Sequence, residues 1–387
     1  MNNLFWLTIV LFVVAAVLRS ELFFYLLYVV VGLQVLARLW TRRSATRLVW
    51  QRVAPPAAFP GEPLTVTLEV TNTSLLPMPW LSLHESVPSA LRSPPVIHEV
   101  LSLGAGERRT LTYTLEGRQR GYYRLGPLTL RTGDVLGLGE HTIRGSTSDG
   151  LTIYPTILPL HELGLPASLP FGTLAAQQRL FTDPARPAGV RPYQPSDGVR
   201  RIDWKSTARA GTPQVRRYQP AIALETLIAL AFAREEYADR HAFDQMERAL
   251  VAAASIAAYL SGRAQPTSFV TTGNDAATGA LAASIPIGTG RAHLIRILST
   301  LGRLEATPHG NITQQLHGTA AQLGWGSTVV VITGRRDAEL LDMLVPLKRR
   351  GLNLALIMTD ADPEALARPR AYGLTTYGLF RDGRPQG

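Results

Sequence analysis

The chain has 387 residues, a formal net charge of +10, 46% hydrophobic residues and 18% charged residues. That length suits two or three domains with sizeable cores. There is no cysteine, which excludes disulfides, thiolate metal sites and cysteine nucleophiles. Apart from Lys205 and Lys348 the basic residues are arginines, scattered rather than gathered into a tract, and no nucleic-acid motif accompanies them.

Taken in order, Leu4–Leu18 is apolar apart from Thr8, Arg19-Ser20-Glu21 interrupts, and Leu22–Ala37 is apolar again apart from Gln34. Each run is somewhat short of the roughly 20 residues that span a bilayer core. Snorkelling by Arg19 and Arg38, with Trp6 and Trp40 near the ends, offsets the deficit. There is no basic n-region, and the apolar stretch is too long for a signal peptide. We expect a transmembrane helical hairpin over 1–40, the alternative being one long tilted span. Arg38, Arg42, Arg43, Arg47 and Arg52 follow the second run, so the positive-inside rule places both termini and the bulk of the protein in the cytoplasm.

From 41 to 158 the texture changes to short alternating runs separated by Pro-Gly and Gly-rich turns. Leu64–Val70, Leu81–Glu85, Val96–Leu101, Arg109–Leu115, Gly121–Leu125, Leu128–Arg131 and Leu151–Tyr154 read as strands. This spacing predicts an all-β immunoglobulin-like sandwich, with a barrel as the alternative. Asp134 reads as a turn former, and His84, His98 and His141 show no ligand spacing. Residues 162–187 read as an irregular connector with one helical turn around Leu174–Leu180.

The stretch Arg191–Tyr218 then concentrates Arg, Asp, Trp and Lys between the two halves, within a connector assigned to 159–218. Pro195-Ser196-Asp197-Gly198 is a turn, Asp203 an N-cap, Trp204–Arg209 a short helix and Gly211 its stop. Tyr193, Ile202, Trp204 and Tyr218 call for burial, so the segment reads as a structured clasp with Trp204 as its buried anchor. Asp197 and Asp203 would be the acid/base pair of an enzyme, but Arg200, Arg201, Lys205 and Arg209 around them keep both ionised.

From 219 to 380 strand and helix alternate, as in a mostly parallel, doubly wound sheet. Strands are expected at Leu224–Ala233, Thr267–Thr272, Ala280–Ile287, Thr328–Thr333 and Asn353–Thr359. Helices are expected at His241–Ser261 stopped by Gly262, at Ala292–Leu304 with Ile295, Leu298 and Leu301 inward, and at Asn311–Leu323. Two more follow: Ala338–Arg350, and a short one opened by Asp362-Pro363-Glu364. Residues 381–387 form a tail. Gly288-Thr289-Gly290-Arg291 is not a P-loop, there is no Gly-x-Ser-x-Gly elbow, and His309 and His317 share no metal by spacing.

The run Tyr193-x-Pro195-x-Asp197-x-x-Arg200-x-Ile202-Asp203-Trp204-Lys205-x-x-Ala208-Arg209 resembles the signature of the domain-of-unknown-function 58 family of membrane-anchored proteins, with Ser196 where Gly is usual. Gly121–Pro127 and Asp134–Leu138 resemble two further family motifs. The resemblance implies a von Willebrand factor type A-like C-terminal half. Its metal-ion-dependent adhesion site would need Asp-x-Ser-x-Ser after the first strand, and that is missing. Arg234-Glu235-Glu236 stand there instead, with Gly334 where a later Asp is common, so the site reads as degenerate and no metal or cofactor is expected; whether Glu235 and Glu236 substitute is left open. The resemblance further implies a MoxR-type AAA+ ATPase as partner, and work in assembly or maturation of other proteins. The reading is thus a non-enzymatic interaction or scaffold protein of the cytoplasmic membrane. Its rivals are a hydrolase-like enzyme using Asp197 and Asp203, and an Arg-rich envelope or lipid-surface protein.

Overall fold

In the computed structural model the residues described are 2–18, 21–91, 96–134, 140–166, 182–194, 202–220, 225–237, 240–335, 338–360 and 363–379. They form two compact units that divide between Pro155 and Thr156.

The first unit opens with α1 (Asn2–Leu18) and α2 (Glu21–Ala45). Of these, α2 is long and apolar enough to cross a membrane, and α1 is a shorter apolar helix. Gln34 Nε2 donates to Thr8 Oγ1 at 2.8 Å, and Ala15 and Leu27 are buried. A single continuous rod cannot bring Thr8 to Gln34, so the chain reverses between the helices. The bond also satisfies the one polar side chain that interrupts each apolar run. Arg19 and Ser20 lie outside the described residues.

Ten strands follow among the described residues: β1 (Leu48–Val53), β2 (Ala57–Ala58), β3 (Pro63–Asn72), β4 (Met78–Ser86), β5 (Val96–Leu103), β6 (Arg108–Glu116), β7 (Gly121–Leu125), β8 (Leu128–Gly133), β9 (Glu140–Arg144) and β10 (Asp149–Ile153). They make three sheets, ordered β1-β3-β6, β2-β10-β7 and β5-β4-β8-β9. The long strand β3 alternates inward Leu64, Val66, Leu68 and Val70 and so serves two cores. Leu68 and Val70 pack with Leu48, Met78, Leu81, Leu83, Leu103, Leu128 and Leu130. Leu64 and Val66 pack with Ala58, Val87, Leu91, Leu115, Leu125, Leu151 and Ile153. Buried between these strands is a polar network. The Arg52 side chain, 5% exposed, pairs with that of Glu85, 2% exposed, and with Asp149 at 2.6 Å, while the Tyr113 hydroxyl donates to Glu85 at 2.7 Å. Burial, then the hydrogen bond to Glu85, pushes the Tyr113 phenol above its ordinary range. Arg52 is therefore a core residue of this unit and not one of the charges flanking the apolar helices, a correction to the sequence reading.

The second unit contains β11 (Thr182–Pro192), α3 (Trp204–Ala210), β12 (Gln214–Pro220), β13 (Thr226–Leu230), α4 (Ala242–Gly262), β14 (Thr267–Thr271), β15 (Asn274–Asp275) and β16 (Ile285–Gly288). It continues with α5 (Arg291–Arg303), β17 (Leu304–Glu305), α6 (Ile312–Ala320), β18 (Thr328–Thr333), α7 (Ala338–Arg349), β19 (Asn353–Thr359), α8 (Pro363–Ala371) and β20 (Thr375–Leu379). Among the described residues the main sheet has six strands in the order β16-β14-β13-β18-β19-β20, parallel except for β16. The uniformly buried β13, β14 and β18 are what a sheet covered on both faces requires. One face packs Leu227, Ala229, Val329 and Val331 against Ile312 and Leu316 of α6 and Leu340 and Leu344 of α7.

Several expectations need correcting here. Residues 280–284 form no strand beyond a single antiparallel bridge of Leu281 to Asn274, and the strand is Ile285–Gly288, antiparallel to β14. Ile295 of α5 is 39% exposed, and Ile297 takes the inward place beside Leu298 and Leu301. Gly262 lies inside α4, whose end is marked by Arg263 and by the positive φ of Ala264. The antiparallel pair β11–β12 and the edge strand β20 add to the elements expected from sequence. The turn expected near Leu174–Leu180 and the tail 381–387 fall outside the described residues.

Candidate functional site

Two places concentrate the chemistry: the clasp and the carboxyl ends of the main sheet's strands. In the clasp the local sequence does what capping chemistry requires. Asp203, in an extended conformation, accepts through Oδ1 from the N–H groups of Lys205 at 3.1 Å and Ser206 at 3.2 Å. Gly211 closes α3 in the left-handed region, φ 70, and its N–H donates to the Thr207 carbonyl. The helix is tied to β12 on its other side. Ile202 bridges buried Val215, the Asp203 N–H donates to the Gln214 carbonyl, and the Gln214 N–H donates to Thr207 Oγ1 at 2.9 Å. The Tyr193 N–H donates to the Pro213 carbonyl at 2.8 Å.

Trp204 does not anchor this helix. It is 69% exposed, and no residue of α3 is buried. Ile202, just outside the cap, is half-buried and pairs with Val215 through a single antiparallel bridge. Lys205 and Arg209 are exposed beside Trp204, so α3 presents an aromatic ring and two cations to solvent. Of the other signature residues, Pro195, Asp197, Arg200 and Arg201 lie outside the described residues. An Asp197–Asp203 pair is therefore not described, and the carboxylate of Asp203 is engaged as a helix cap.

At the main sheet the chain runs from β13 to β14 on one side and later returns to β18 on the other. The carboxyl ends of β13 and β18 thus flank the point where the winding reverses, the usual crevice of an open α/β sheet. The segment after β13 turns through a 3₁₀ helix, Arg234–Glu236. Glu235 accepts from His309 Nδ1 at 2.8 Å and from the Gly310 N–H at 3.1 Å, and these two bonds hold its carboxyl below the usual range. Glu236, next in sequence, is buried, so the two carboxylates do not converge. Tyr237 is buried, and its hydroxyl donates to the Ala231 carbonyl at 2.8 Å. Gly334, after β18, lies so close that a Cβ there would stand 2.6 Å from both the Glu236 carbonyl oxygen and the Tyr237 ring. Beyond it Arg335 pairs with Glu339 at 2.8 Å, Asn311 donates to the same carboxylate at 3.3 Å, and Arg248 pairs with Asp360. Among the described residues no three His, Asp or Glu side chains are grouped to hold a metal ion. A groove between α7 and α8, floored by Leu356 and Met358 and rimmed by Arg335, Glu364 and Arg368, includes no clasp residue in its lining.

Residues 189–371, which hold the clasp and most of the main sheet, match the family described as protein of unknown function DUF58. That match takes in just under half of the chain. Relatives include the uncharacterized protein YeaD of Bacillus subtilis, 25% identical over 214 residues, which are 51% of this chain and 48% of that one. The uncharacterized protein Rv1480 of Mycobacterium tuberculosis is 32% identical over 126 residues, 33% of this chain and 38% of that one. The chain thus spans less than half the length of these relatives. Among solved structures, the CARDB domain of the PF1109 protein from Pyrococcus furiosus is 16% identical, covering 27% of this chain and 86% of that one with a TM-score of 0.21.

Proposed function

We propose that this protein is a membrane-anchored, non-enzymatic interaction protein. Its anchor is the α1–α2 hairpin, spanning the cytoplasmic membrane twice. Arg38, Arg42, Arg43 and Arg47 stand on the cytoplasmic side, where both termini and the two units also lie. The β unit is read as an immunoglobulin-like sandwich, supported by its antiparallel pairings and by the inner face that β3 and β4 share. The C-terminal sheet is read as a von Willebrand factor type A-like domain with a degenerate metal site. Counted within the sheet its strands run 3-2-1-4-5-6, a doubly wound order, and the acid at the end of its first strand is turned onto a histidine.

The observation that carries the interaction reading is Trp204. A tryptophan 69% exposed on a rigidly capped helix that also carries exposed Lys205 and Arg209 suits a contact surface, because Trp and Arg dominate the energetics of protein interfaces. The family resemblance supplies the partner, a MoxR-type AAA+ ATPase, with assembly or maturation of other proteins as the task. The test is purification of the full chain from native membranes in mild detergent, with mass spectrometry of what accompanies it. Enrichment of such an ATPase is expected. Hydrolysis of a small substrate by the purified chain, lost on Asp203→Asn, would contradict the reading.

A further inference from the structure

Leu75 is the most exposed large apolar side chain among the described residues, at 95%. It stands in the turn between β3 and β4, and that turn is rigid. Asn72 donates through Nδ2 to the carbonyls of Leu76 at 2.9 Å and Gly104 at 2.8 Å, and accepts from the Ser74 N–H and hydroxyl. A polar turn residue would serve such a loop equally well, so its tip is not explained by folding.

The same turn is fastened to the end of the apolar helix α2. The Thr73 N–H and hydroxyl both donate to the Arg47 carbonyl, the hydroxyl at 2.6 Å. Four residues later the Pro77 carbonyl accepts from Trp40 Nε1 at 3.1 Å. Along the chain, then, the turn passes from Arg47, just beyond the end of α2 at Ala45, back to the level of Trp40, about 7.5 Å inside that end at a helical rise per residue. Residues Leu22–Leu39 of α2 extend about 27 Å, close to the thickness of a bilayer core, which puts Trp40 at the boundary where indole rings settle. Exposed Arg42, Arg43 and Arg47 lie on the outer side of that boundary, at headgroup level, where anionic lipid attracts them.

We infer that the turn Asn72–Pro77 is a second membrane contact: Leu75 enters the acyl–headgroup boundary of the bilayer beside Trp40, and fixes the β unit upright on the membrane. The occupant is lipid, since the turn is continuous with the helix that reaches the bilayer. The inference rests on the reading of α2 as a spanning helix.

Because the chain lacks cysteine, one polarity-sensitive fluorophore can be placed at a time by Leu75→Cys, Leu33→Cys or Arg118→Cys in the full protein. Leu33 is mid-helix in α2. Arg118 is exposed and follows β6 at the far end of β3, about 30 Å from Asn72 at strand rise. Each labelled chain is reconstituted into phosphatidylcholine–phosphatidylglycerol vesicles with or without lipid carrying a nitroxide near the headgroup. Position 75 should emit to the blue and be quenched by the nitroxide lipid, as position 33 is, while position 118 is unaffected. Quenching at 33 with position 75 behaving like 118 would overturn the loop contact and leave the span standing, and equal quenching at 75 and 118 would also overturn it. No quenching at 33 would overturn the span and the inference together.

Discussion

Replacing Glu85 by alanine should be among the most damaging single changes in the β unit. The carboxylate is 2% exposed and carries both the buried Arg52 guanidinium and the Tyr113 hydroxyl. Its loss leaves Arg52 with Asp149, which is 51% exposed, and the Leu125 carbonyl at 3.3 Å, and leaves the phenol without its acceptor. Breaking a buried pair from one side typically costs about 3–5 kcal/mol, because the surviving charge stays buried. Asp149→Asn touches a half-exposed partner and should cost only about 0–1 kcal/mol. Hydrogen exchange read by mass spectrometry on peptides from β4 and β6 reports this unit by itself. A loss of 3–5 kcal/mol accelerates global-opening exchange roughly 10²–10⁴-fold. The double change Arg52→Met with Glu85→Leu should recover much of the protection, since apolar pairs of similar volume are often neutral replacements. If Glu85→Ala exchanges no faster than Asp149→Asn, the network is not the buried ion pair described.

Gly334→Ala should destabilise the C-terminal unit by about 1–3 kcal/mol, as overpacking does, because its Cβ would meet the Glu236 backbone and the Tyr237 ring; denaturant titration checks this. Trp204→Ala should leave stability within about 0.5 kcal/mol, as exposed surface changes do, whereas Asp203→Ala should cost about 0.5–2 kcal/mol through the lost cap. Glu235 is more acidic folded than unfolded, so its contribution is fully present above about pH 4.5 and lost as pH falls through the lowered value. Glu235→Gln should therefore flatten the acid limb of a melting-temperature profile below that pH and leave the neutral plateau nearly unmoved.

Strong local signals were legible in the sequence. Asp203 and Gly211 bound α3 because cap chemistry acts within one turn of helix. TVVVIT and the run from Asn353 became β18 and β19 because fully buried parallel strands read as unbroken apolar runs. Pro363 opens α8 because its fixed φ suits the first helical position. What escaped depended on distant partners. The edge strand β20 is short and holds Gly378, and only its pairing with β19 makes it a strand. Arg52 read as a membrane-flanking charge because nothing local announces Glu85 and Asp149, 33 and 97 residues away. The burial expected of Trp204 is absent for a related reason: an aromatic residue among charges looks as though it needs a core, yet whether a seven-residue helix buries that face depends on elements distant in sequence. The glutamates after β13 could be named as carboxylates from sequence, but not that one turns to His309 while its neighbour is buried.

The interaction reading is tested most directly by placing a photo-crosslinking phenylalanine analogue at Trp204 in the full chain, in native membranes, with Phe243 as the reference. Phe243 is 70% exposed, but it lies on α4, away from the family signature. Illumination should give one discrete protein adduct from position 204, an AAA+ ATPase by mass spectrometry, and no matching adduct from position 243. No adduct at 204, or the same adducts from both positions, would contradict the account.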